Sequence, residues 1–268
     1  MFVHEQWSEE WKRLRTLISE NELDEYQEKI IRLARESVVL ATTEPDDYST
    51  IGNTRMGGVP DWPSHLAYPS EDGLLYNFLC QINCSDLKEV NRLLPDHGML
   101  YFFIGDSETA SDVDVRVVYY DGPSSALQKY DLDNASFIDE YDIYTDAPFR
   151  VQLAKTISLP YAGSDEVEEL FSDDDDLTDQ YSDVHLDPSW PDGHGLLVSY
   201  PYAIGDDPRL HQRDDGDEVE DWVCLLELGD DQNTGFCFWD AGFLQFLIRI
   251  EDVKRRDFSN VRGVIQTS

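Results

Sequence analysis

The sequence predicts an α+β protein with two related strand-rich halves, an internal duplication, behind an N-terminal helix pair. Three observations carry this expectation: helical periodicity in the first forty residues, later runs of β-formers broken by turn residues, and a seven-residue stretch that recurs. The 268 residues are then one compact domain overall: an N-terminal helical segment 1–45, a first α+β half 46–163, an acidic loop 164–183 and a second α+β half 184–268. That length is ample for a substantial core.

Trp7, Trp11, Leu14 and Ile18 fall on one helical face, with Ser8 as a capping type and Glu9 and Glu10 where the dipole favours acids. Leu23, Tyr26, Ile30, Leu33 and Ala34 repeat the pattern after Asn21. A helix pair packed on a sheet accounts for both better than a docking helix does.

Residues 52–69 (GNTRMGGVPDWPSHLAYP) are too rich in Gly and Pro for regular helix or central strand. Gly57 and Gly58 permit unusual backbone, Pro60 stiffens it, and Trp62 travels on it. Such a loop lines a ligand groove or forms a lid over the core. It has no Lys-Ser/Thr for phosphate binding. Strands are expected at 74–83, 98–104, 114–120, 136–144 and 149–159, with a helix at 87–94. Residues 165–183 hold ten acidic side chains, a self-repelling composition that predicts a mobile surface loop. Further on, 222–228 and 236–239 read as a hairpin, 242–250 as a strand, 251–258 as a helical turn or two, and 261–266 as a last strand.

The recurrence is GMLYFFI (98–104) against GFLQFLI (242–248), identical at Gly, Leu, Phe and Ile. A second apolar strand precedes each copy, FLCQIN or VCLLEL, at a similar interval. Two copies are too few for a solenoid and suggest paired halves, with one shared sheet as an option.

The stretches GGVPDWP, FLCQINCSDL, LLPDHGMLYFFI and the closing DAGFLQFLIRIEDVKRRDFSNVRGVIQTS resemble the YwqG-like family, a domain of unknown function, over roughly 51–268. The resemblance implies an α+β fold with duplicated halves and brings no catalytic residues. It also places a Gly before the Tyr-Pro pair and a Gln after it. Here Ser199 precedes Tyr200-Pro201, and no such Gln follows.

Acidic residues outnumber basic ones 56 to 20, a net charge of −36. That field repels nucleic-acid phosphates and anionic membranes and favours basic proteins and cations, so a basic protein partner is expected and neither nucleic acid nor membrane is. Arg outnumbers Lys by 14 to 6, which also suits a saline habitat. Residues 1–15 lack the apolar core of a signal peptide, and no run spans a bilayer, so a cytoplasmic location is expected. Cys80, Cys84, Cys224 and Cys237 read as buried free thiols; the first two lack zinc-knuckle spacing. No metal or other cofactor is expected, and the sequence sets no oligomeric state.

The candidate site residues are few. His194, beside Asp192, is a general base, a ligand or a hydrogen-bonded loop residue. Gln81 and Asn83 lie two apart on a strand, so they face one side, either to satisfy buried partners or to read a ligand. Trp239 and Asp240 lead into a turn. With no nucleophile elbow, zinc-peptidase or dinucleotide motif, binding is expected before catalysis. The leading expectation is an immunity-like or inhibitory binder of a basic partner. The alternative is a small-ligand binder or enzyme with a cleft between the halves, walled by residues 57–63.

Overall fold

Ten strands close into an antiparallel barrel in the computed structural model, which describes residues 8–88, 90–132, 136–138, 147–172, 174–189, 193–240 and 242–267. In chain order they are β1 (Arg35–Pro45), β2 (Arg55–Met56), β3 (Asn77–Asn83), β4 (Met99–Thr109), β5 (Asp112–Tyr120), β6 (Phe149–Ser158), β7 (Gly195–Ser199), β8 (Trp222–Leu228), β9 (Phe243–Arg249) and β10 (Arg262–Gln266). Around the ring they run β1-β6-β2-β3-β4-β5-β10-β9-β8-β7 and back to β1. Two meanders, β2 to β5 and β7 to β10, therefore meet at β5 and β10, while β1 and β6 bridge their far ends. The strands expected in both halves share one sheet.

Strand alternation sorts the side chains. Val38, Leu40, Met56, Cys80, Ile82, Leu100, Phe102, Leu226, Leu228, Leu244 and Phe246 fill the interior. Phe102 and Phe246 meet edge to face at 5.2 Å between ring centroids. Each of the strands β3 and β8 shifts register once against its partner, between Phe78 and Cys80 and between Cys224 and Leu226. Beyond the shifts, Gln81 stands opposite Tyr101 and Glu227 opposite Gln245, and all four point away from the interior.

Two layers cover parts of the outer wall. The helices α1 (Ser8–Glu20) and α2 (Gln27–Leu33) pack with α3 (Asp165–Phe171) and α4 (Asp175–His185) over Ile157 and Leu159. Trp11, Leu14 and Ile18 are buried there, as their spacing predicts; Trp7 lies outside the described residues. The second layer is the 52–69 loop. It is a lid: Trp62 and Tyr68 pack on Tyr101 and Phe103.

Several expectations need correcting. The N-terminal segment is not helical to residue 45, since 35–45 is β1, a barrel strand paired on both sides. The acidic loop is α3 and α4. Its acids occupy exposed faces and first turns, while Val167, Leu170, Phe171, Tyr181 and Val184 face inward, and Asp174 caps α4 by accepting from Leu177 N–H. Residues 87–94 are not a helix, because the Asn91 side chain accepts from Leu93 and Leu94 N–H and holds a turn instead. The partner of 222–228 is β9 rather than 236–239, and Phe236 and Phe238 pack into the barrel core. The 52–69 loop contributes β2, a two-residue barrel strand. Residues 74–83 divide into the pair-forming Leu74–Leu75 and β3. Of the strand expected at 136–144, only 136–138 is described; there Phe137 bridges Leu75. β7 was not anticipated.

Phe246 is fully buried opposite Phe102, so Phe246→Ala is expected to lower unfolding free energy by about 3–5 kcal/mol and Phe246→Leu by less. Urea titration of both variants measures this.

Candidate functional site

Six of the nine sequence-predicted site residues come together, and they build the lid rather than a ligand groove. Arg55 projects outward from β2 and is fully buried. Its Nε donates to Asp46 (2.8 Å), its Nη2 to Asp61 (2.9 Å) and Asn53 (3.0 Å), and its Nη1 to the Val59 carbonyl (2.9 Å). Burial alone would raise the Asp46 carboxyl, yet hydrogen bonds from Arg55, Asn53 and Tyr48 N–H hold it below its usual value. Gln81 grips the same loop, accepting from Asp61 N–H (2.7 Å) and donating to the Asn53 carbonyl (2.7 Å). Asn83 donates to the Gly52 carbonyl and accepts from Ser85 N–H. Pro60 accepts from Tyr130 N–H, and Trp62 donates to the Leu66 carbonyl. Gly57 and Gly58 have positive φ (70° and 65°), and a Cβ on Gly58 would collide with Tyr48 Oη and Pro148. These hydrogen bonds satisfy the amides of Gln81 and Asn83 within the chain.

His194 stands elsewhere. It lines a hollow of about 490 Å³ on the outer barrel wall, where β6 and β1 meet β7, β8 and β9. None of residues 57–63 lines it, so this hollow is distinct from a cleft walled by that loop. The lining includes Val39, Thr156, Ser158, His185, Leu196, Glu227 and Phe243. His194 is exposed, and its Nδ1 is 2.8 Å from the Asp230 carbonyl, which places the proton on Nδ1 in the neutral ring. The neighbouring Asp192 lies outside the described residues. His185, at the end of α4, is pushed down by burial and stays neutral.

Glu227 is the residue that sequence reasoning missed. It points outward from β8 between the inward Leu226 and Leu228, and lines the hollow at 9% exposure. Its Oε2 accepts from Tyr202 N–H (2.7 Å) and Gln245 Nε2 (2.8 Å). Burial pushes its carboxyl up, and those two hydrogen bonds only partly offset the push. No Lys or Arg among the described residues lines the hollow. Its signal was in the sequence: one charged residue within the apolar run WVCLLEL.

Trp239 and Asp240 sit in the 229–242 connection and are exposed; Trp239 has φ 56°, and the Asp240 carbonyl accepts from Thr267 Oγ1. Neither lines the hollow. Cys80, Cys84 and Cys224 are buried, but Cys237 is exposed, which corrects its expected burial. Burial pushes the Cys84 thiol up to about 12 and raises the Cys80 and Cys224 thiols as well, which disfavours the thiolate at all three. Among the described residues no three His, Cys, Asp or Glu side chains converge as metal ligands, and no helix is long and apolar enough to cross a membrane.

Fold and hollow together define a closed antiparallel barrel with a buried carboxyl, Glu227, in the lining of an outer hollow where no Lys or Arg stands among the described residues. The chain belongs to the family described as domain of unknown function DUF1963, whose model matches residues 54–266, from the residue before β2 to the end of β10. No curated protein matches the chain.

A raised carboxyl pKa fixes the sign of a pH effect. Below the ordinary value near 4.5, Glu227 is protonated folded or unfolded and costs nothing electrostatically. As pH rises through the folded value, burial of the ionised form costs progressively more. His185, His194 and Asp230 share the hollow, and none of them is changed in Glu227→Gln. This variant is expected to unfold at higher urea than the parent at pH 8, with the gain shrinking toward pH 4. Paired urea titrations across that range check it.

Proposed function

We propose that the chain is a binding protein whose ligand site is the hollow over Glu227. The observation that carries this reading is the carboxyl itself. A buried acid without a basic partner is held at a cost in stability, and perturbed ionisable groups in cavities cluster at functional sites. A hollow of about 490 Å³ with apolar walls and a few polar groups also falls in the size range of small-molecule sites. The reading is one of binding, in the cytoplasmic setting that the sequence suggests. The YwqG-like grouping and an internal duplication belong to the same proposal. Support for the duplication comes from the matched register shifts in β3 and β8 and the equivalent ring positions of the two meanders. A small-fragment screen read by ligand-observed NMR is expected to give hits that His194→Ala and Glu227→Gln weaken and that Asp240→Asn leaves alone. Hits indifferent to the first two variants would place the site elsewhere.

A second reading is favoured by charge. Asp165, Glu168, Glu169, Asp175, Asp176, Asp179 and Asp183 are exposed on α3 and α4, over an acidic excess of the whole chain. Such a face suits a basic protein partner, in an immunity-like or inhibitory role, with association speeded by electrostatic steering. Capture from native lysate is expected to return a stoichiometric basic protein at low salt that is lost as salt rises. Empty captures at both salts count against this reading alone.

A further inference from the structure

We infer that the hollow takes a ligand with a primary ammonium head on a short aliphatic body, and that the head hydrogen-bonds to Glu227 Oε1. This rests on the reading of the hollow as the ligand site.

The chemistry follows from how the carboxyl is used. Oε2 already accepts two hydrogen bonds, from Tyr202 N–H and Gln245 Nε2. No donor among the described residues reaches Oε1, and Glu227 lines the hollow. The site therefore offers one acceptor oxygen with unmet charge. A guanidinium gains its advantage from two parallel bonds to both oxygens of a carboxylate, and Oε2 is taken. An ammonium is a compact charge whose donors rotate to suit, so a single oxygen serves it.

The remaining lining agrees. Thr156 and Ser158 carry hydroxyls, and Phe243, tilted against Tyr202 at 4.7 Å, presents a ring to the same space. Aromatic faces attract cations. Val39 and Leu196 supply apolar wall for a carbon body. His185, held neutral by burial, adds no repulsion. An anion would meet Glu227 and Asp230 with no Lys or Arg among the described lining residues to receive it. A bare metal ion would want several hard oxygens at one point, and the described residues converge no such set. Around all of this the chain carries −36, a potential that raises the local concentration of cations.

The test uses the full chain and three probes of one length: pentylamine, 1-pentanol and pentanoate. Isothermal titration at physiological ionic strength and side-chain NMR of His194 and Phe243 are the readouts. Pentylamine is expected to bind and to shift both resonances, and the other two are expected to bind at least roughly tenfold more weakly. Glu227→Gln, which keeps the acceptor pair on Tyr202 and Gln245 and folds stably by the pH reasoning above, should weaken pentylamine by about tenfold or more. Asp240→Asn, an exposed acid away from the hollow, should leave it unchanged. Pentanol or pentanoate binding as tightly at these resonances overturns the ammonium class while the hollow stands as a site. Pentylamine affinity unchanged in Glu227→Gln overturns the role of Oε1. If none of the three moves His194 or Phe243, the ammonium inference fails, and the fragment screen alone decides whether the hollow binds anything.

Discussion

One buried guanidinium closes the barrel. The strand β2 is only two residues long, yet it must pair with β6 on one side and β3 on the other for the ring to be complete. Two residues carry too few ladder bonds to hold that place by themselves. Met56 fills the interior, and Arg55 turns outward into Asp46, Asp61, Asn53 and Val59. Desolvating such charges costs several kcal/mol per ion in a protein, so the arrangement holds only because the guanidinium's donors and its two carboxylate partners meet in good geometry. The loop that carries Asn53, Val59 and Asp61 then becomes the lid, with its Trp62 packed on Tyr101. Closure of the ring and covering of one outer face are thus a single event.

The contrast between Gln81 and Glu227 explains why one outer face is structure and another is a candidate site. Each follows the register shift of its strand, and each points outward opposite a polar residue of the next strand. Gln81 is neutral, and the lid uses both ends of its amide. Glu227 is an acid, and the chain from Tyr200 to Ile204 meets only one of its oxygens. Among the described residues the lid has no counterpart over the hollow. A face that the chain fills with its own backbone cannot admit a ligand, whereas a face left with half a carboxyl unmet can.

The sequence made much of the barrel legible, and the gaps have physical causes. Strands β3, β4, β5, β6, β8, β9 and β10 announce themselves by β-branched and aromatic runs between turn residues. β1 was hidden because its Ser37, Thr42 and Thr43 interrupt the apolar run of Val38 to Leu40, and helical periodicity precedes it without a break. β7 is only five residues long, and its Val198 has a positive φ of 56°. The helices α3 and α4 were masked by charge. Composition averages over all faces of a helix, and here the acids line the outside while five apolar side chains hold the inside. Of the site, His194 was legible as a turn-flanked histidine. For Glu227 the sequence offers only a lone charge within the apolar run WVCLLEL, since nothing in a strand's sequence says which outward face a lid will leave open.

The acidity of the chain contains two kinds of carboxylate, and they bear differently on function. Exposed acids on α3 and α4 cost little, are screened by salt, and suit a basic partner and a saline habitat equally. Their number therefore discriminates poorly between functions. Glu227 is a single residue, but burial strips most of its water and no Lys or Arg among the described residues lines its hollow. A Gln in its place would keep both bonds to Oε2 and remove the charge, as Gln81 does at the matching position of β3. An acid at this position lowers stability without improving the packing around it. What it adds is an ionisable carboxyl in the lining of an open hollow, and a cationic ligand is the kind of group that would favour its ionised form.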